Sequence, residues 1–119
     1  MTSYRTLKVS SNIQYVLTQN MREVFAFDKD MLEAFITITK VELSMDLKIA
    51  NCYVVQGYHS KLDPKIVLAK LNNSKYSFRK LINSNLVLKY SPEIRFFYDF
   101  TIENVDRVSE ILNKIASKE

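Results

Sequence analysis

The chain has 119 residues, 47% hydrophobic and 25% charged, with a formal net charge of +4; that length fits one domain around one core, and the balance is globular, not disordered. No apolar run is long enough to cross a bilayer, the opening MTSYRTLKVSSNIQYV is polar where a signal peptide is apolar, and the single cysteine, Cys52, can make neither an internal disulfide nor a cysteine-rich zinc site. The expectation is a cytoplasmic protein with no membrane partner, and the lone glycine, Gly57, excludes the Gly-rich phosphate loops of the Walker and dinucleotide fingerprints.

Val9, Ile13, Val16, Leu17, Met21 and Val24 recur at three- and four-residue spacing, which predicts an amphipathic helix over residues 4–24 with one buried face. AFDKDM reads next as a polar connection. FITITKVEL has the β-branched alternation of a strand, with Ile36 and Ile38 on one face. Val41 and Leu43 fall out of phase with them, so a bulge is expected near Thr39 and Lys40. SMDLK supplies turn residues, Asp46 being able to bond its own backbone, and IANCYVV is a second strand that alternates Ala50, Cys52 and Val54 against Ile49, Tyr53 and Val55. A hairpin is the simplest connection, and Cys52 reads as a small core residue.

LDPKI is a strong helix start, with Asp63 suited to the N-cap and Pro64 to the first helical position. A helix unbroken from there to about Ser84 would be about 31 Å long at 1.5 Å per residue. That is long for so small a domain, so a break is expected between Asn72 and Lys75, where two asparagines and a serine also weaken the helix. EIRFFYDF is a strand with Ile94, Phe96 and Tyr98 on one face. Thr101 is expected to cap a final helix with the stripe Val105, Val108, Leu112 and Ile115. The order is α-β-β-α-(bend)-α-β-α in a single domain over residues 4–118, with a core over 4–100 and a C-terminal helix over 101–117.

Charge is uneven along this order. Residues 63–90 hold six bases and one acid, while the rest of the chain is close to neutral. Such a local excess fits an electrostatic footprint for phosphate, and it equally fits a solubilising lysine face. Catalytic signals are weak. His59, the only histidine, lies in GYHSK and reads as a solvent-facing loop residue without a nucleophile and orienting acid in reach. Asp28, Asp30 and Glu33 look like a polar connector, and Glu103, Asp106 and Glu110 like a solvated helix face; neither group resembles a metal site.

Three stretches resemble one family. ITKVELSMDLKIANCYV, with Ser44, Asp46, Leu47 and Ala50, is similar to the first hairpin of ribosome-binding factor A. SPEIRFFYD is similar to that family's last strand, through Pro92, Glu93, Ile94, Phe96, Tyr98 and Asp99. LNNSKYSFRKLI lies between them where the family has a helix-bend-helix, with Arg79 on its recurrent arginine. The resemblance implies an α+β fold of the KH-like type II, with a three-stranded sheet packed on helices on one face. It implies an RNA-binding factor for the immature small ribosomal subunit and its rRNA that assists late maturation, with no catalytic residue, no metal and no cofactor, expected as a monomer. The sequence departs at the bend, where the family's Ala-x-Gly is replaced by Ser74, Lys75 and Tyr76. The Ser74 hydroxyl could bond back to the preceding turn and bend the helix without glycine.

On this reading Lys65, Lys70, Asn72, Lys75, Arg79, Lys80 and Lys89 contact phosphates, with Asn72 and Tyr76 nearer to bases. Tyr76 itself has two readings, a ring packed under the bend or one exposed for stacking; helical angles favour exposure and a sharp bend would reverse it. The rival functions are a protein-interaction module that docks an acidic partner through the basic helix or an exposed strand, and a small hydrolase using His59.

Overall fold

The computed structural model of the chain describes residues 4–88 and 91–101. Its elements are α1 (Tyr4–Val24), α2 (Lys29–Ala34), β1 (Thr37–Leu43), β2 (Ile49–Val55), α3 (Pro64–Asn73), α4 (Lys75–Asn85) and β3 (Glu93–Tyr98). The strands form one sheet in the order β1-β2-β3, with β1 antiparallel to β2 and β2 parallel to β3. Parallel neighbours cannot be joined by a tight turn, so the chain must cross the sheet between β2 and β3. That crossing is α3, the bend and α4.

Side-chain alternation sorts the sheet into two faces. Ile38, Val41, Ala50, Cys52, Val54, Ile94, Phe96 and Tyr98 are buried, and meet Ile13, Val16, Leu17 and Met21 of α1 and Val67, Leu71, Phe78 and Ile82 of α3 and α4 in one core. The other face carries Lys40, Tyr53 and Phe97 in one row, with the Lys40 ammonium 4.5 Å from the Tyr53 ring centre and the two rings stacked at 5.6 Å. The expected bulge lies between Ile38 and Lys40, and the unpaired Thr39 turns its hydroxyl to Asp99 Oδ2 at 2.8 Å, tying β1 to the end of β3. In the hairpin turn, the Ser44 hydroxyl donates to Asp46 Oδ1 at 2.6 Å, and Asp46 accepts the Lys48 N–H two residues on at 3.1 Å. Cys52 is fully buried, and burial pushes its thiol pKa up to about 12, which suits a packing residue and no nucleophile.

Three expectations are corrected. The stretch read as a polar connection contains α2, whose N-cap Asp28 accepts the Met31 N–H and whose Met31 and Ala34 enter the core. β1 begins at Thr37 because Phe35 is left-handed (φ 50°) and closes α2 as its C-cap. After β3, Phe100 and Thr101 are already helical and Asp99 accepts the Thr101 N–H at 3.1 Å, so Asp99 supplies the cap expected of Thr101. The stripe from Val105 to Ile115 and Lys89 lie outside the described residues.

Candidate nucleic-acid interface

The α3–α4 elbow is built without glycine. Asp63 accepts the Lys65 N–H at 2.9 Å and starts α3 with Pro64 in its first turn. Ten residues later Ser74 leaves the helix at φ −99° and ψ 11°, a backbone geometry open to any L-residue. Its N–H closes α3 on the Leu71 carbonyl at 3.1 Å, and its carbonyl accepts the first α4 bond from Phe78 at 3.2 Å. The Ser74 hydroxyl makes neither a cap bond nor the back-bond open to it, and the backbone shapes the turn. Apolar burial holds it. Leu71 before the turn and Phe78 and Ile82 after it are fully buried, with the Phe78 ring between Phe96 at 5.4 Å and Phe25 at 6.1 Å.

With that face pinned inward, the helical period carries the polar residues outward. Tyr76 is 84% exposed, so the packed-under-the-bend reading does not hold. Arg79 and Lys80 are exposed beside it, and Asn72 and Lys75 are half-buried at the turn. Lys65 is exposed in the first turn of α3. Two cations are already engaged. The Arg79 Nε–H donates to the Ser91 hydroxyl at 2.8 Å, which ties α4 to the segment before β3 and leaves its other guanidinium donors facing out. Lys70 donates to Asp28 Oδ2 at 2.8 Å, with about a third of each side chain exposed, and this bond holds the Asp28 carboxyl below its ordinary pKa. Thus Lys75, Tyr76, Arg79 and Lys80 come together at the elbow, while Lys70 is turned to α2.

The arrangement can offer phosphate a set of charge-assisted donors and a base an exposed ring. Among the described residues, no group of three or more His, Cys, Asp or Glu side chains could share a metal ion. His59 is exposed, as expected of a loop residue, and its Nε2–H donates to the Glu33 carbonyl at 2.8 Å.

The family model for ribosome-binding factor A matches residues 5–112. A ribosome-binding factor A of Rickettsia prowazekii is 37% identical over 117 residues, which is 98% of this chain and 91% of the relative. The chain belongs to the ribosome-binding factor A family. The solution NMR structure of a Thermotoga maritima protein described as a ribosome-binding factor A is similar at a TM-score of 0.65 and 33% identity, covering 79% of this chain and 86% of that one. A Thermus thermophilus ribosome-binding factor A homology model, as fitted into the cryo-EM map of a 30S complex with that protein, shares the fold at a TM-score of 0.50 and 17% identity, over 71% of this chain and 93% of its own. The fold is α+β and KH-like, as the resemblance implied. Among the described residues, no helix is long and apolar enough to cross a membrane.

Sequence reasoning missed Ser91 and Asp28 as partners of the basic residues. Each pairs with a cation far along the chain, and no spacing rule reports such a contact. Asp28 carried one readable sign, an N-cap residue three positions before Met31.

Proposed function

We propose that the chain binds the small ribosomal subunit while that subunit is immature, through RNA laid on the α3–α4 elbow, and that it assists late maturation and processing of the rRNA without catalysing a reaction itself. It does so as a cytoplasmic monomer folded as a single domain. Family membership and the 30S complex of the Thermus relative support the partner. The observation that carries the site is the exposed Tyr76 ring set among Lys75, Arg79 and Lys80 on a helix whose other face is locked in the core. Lys65 and Asn72 extend the surface along α3, and Lys70 joins when phosphate displaces Asp28.

The test reverses Lys75, Arg79 and Lys80 to glutamate together and measures binding to small subunits across a salt series. Removing one phosphate partner lowers the salt slope by about 0.7 to 0.9, so the triple variant should bind far more weakly and with a slope smaller by about 2. Unchanged affinity and slope, with native circular dichroism, would assign these charges to solubility. Ribosomal RNA should compete with the subunit far better than a polyanionic protein does, which separates this reading from docking of an acidic partner.

A further inference from the structure

The carboxyl end of α1, the short helix α2 and the start of β1 enclose a cavity of about 180 Å³ that the elbow does not use. Its floor is Met21, Phe25, Met31 and Ile36, all buried. Its rim includes Arg22 and Phe35, both exposed. A space of about 150 Å³ holds a benzene-sized guest, whereas cofactors and drug-sized ligands occupy about 300 Å³ or more. This cavity is therefore the size of one apolar side chain. The lining is mostly apolar, with the Thr18 and Thr37 hydroxyls beside Arg22 as its polar groups, and methionines repack readily around an inserted aliphatic or aromatic group.

The rim is held open by its surroundings. Phe35 is left-handed at φ 50°, a conformation bulky residues rarely adopt, and such strain persists only where neighbours over-determine it. Here Gly57 N–H donates to the Ala34 carbonyl at 2.7 Å and His59 to the Glu33 carbonyl, fixing the end of α2. The Phe35 ring meets His59 edge-on at 5.3 Å, and His59 meets the exposed Tyr58 at 6.1 Å, so an aromatic row runs outward from the cavity. Arg22 lies over the Phe35 ring at 5.8 Å and has no ion pair among the described residues, while Glu33 nearby is taken by Lys29 at 3.9 Å. An exposed guanidinium beside an apolar cavity is complementary to a carboxylate beside an apolar side chain.

We propose that this cavity is a docking site for an acidic protein segment, which inserts one leucine- or phenylalanine-sized side chain onto the methionine floor and sets a carboxylate against Arg22. The site shares no residue with the elbow, so it stands or falls separately from RNA binding there.

The test titrates the full chain with N-acetylphenylalanine and with its uncharged amide, read by amide chemical shifts. Shifts should concentrate at Arg22, Met31, Phe35 and Ile36, with the acid binding at least threefold more tightly than the amide. Arg22→Gln should erase that difference. Phe35→Gly removes the ring and relieves the left-handed strain, so it should melt no lower than the parent yet bind both compounds at least fivefold more weakly. Equal binding of acid and amide, shifts centred elsewhere, or a lowered melting temperature of Phe35→Gly would each overturn the proposal. So would a single-stranded RNA oligonucleotide that moves the same amides and competes with the acid.

Discussion

Tyr76 occupies a position where its ring serves no core contact, at 84% exposure and one residue into α4. Counted from the buried pair Phe78 and Ile82, it points about 140° away, and Lys80 about 180° away, at 100° per residue. Base stacking on an exposed aromatic is worth about 1 to 3 kcal/mol, so Tyr76→Ala should weaken binding to small-subunit RNA by roughly that amount. Its denaturant midpoint should stay within about 0.5 kcal/mol of the parent in stability. A destabilised variant with unchanged RNA affinity would contradict the stacking role. Phe78, two residues on, has the opposite character. It is fully buried between Phe25 and Phe96, and Phe78→Ala should cost about 3 to 5 kcal/mol in urea unfolding. A loss below about 1 kcal/mol would show that the elbow is not held by this ring.

At the scale of elements, α2 matters more than its six residues suggest. Its first end is bonded to α3 through Asp28 and Lys70, and its last is locked by Gly57 and His59. Asp28→Asn keeps an effective N-cap but removes the charge that holds Lys70. The freed ammonium should then raise the salt slope of subunit binding by about 0.7 to 0.9; an unchanged slope would exclude Lys70 from the interface. Three carboxylates, Asp28 among them, contribute stability that depends on acid. Asp28, Asp46 and Asp99 are all held below the ordinary value of 3.8, by hydrogen bonds from Lys70, Ser44 and Thr39 respectively. A depressed carboxyl binds fewer protons folded than unfolded. Its stabilisation is therefore complete above the unfolded value of 3.8 and is lost as pH falls through the folded one. Thermal melts should show these contributions constant from neutral pH down to about 5 and declining below about 4, with a smaller acid decline in Asp99→Asn. An equal decline in that variant would remove the Thr39–Asp99 tie from the account.

For the molecule as a whole, long periodic segments were legible and short or non-local features were not. The stripe from Val9 to Val24 marked α1 to its ends, the phase slip after Ile38 marked the bulge, and Asp63-Pro64 marked the start of α3. Weak helix formers around Ser74 marked the break, and the helical angle marked Tyr76 as exposed. By contrast, α2 spans under two turns, too few for a period to register. The left-handed Phe35 carries no sign in its residue type, and the capture of Lys70 by Asp28 joins residues 42 apart. What the whole fold then does is hold one basic, aromatic elbow rigidly against a three-stranded sheet. The most direct measurement of its purpose is sedimentation of cell extract, comparing the parent chain with the Lys75, Arg79 and Lys80 reversal variant. The parent should migrate with free small subunits and not with assembled ribosomes, while the folded variant should remain at the top of the gradient. Comigration of the variant with small subunits, or a parent chain that never joins them, would contradict the account.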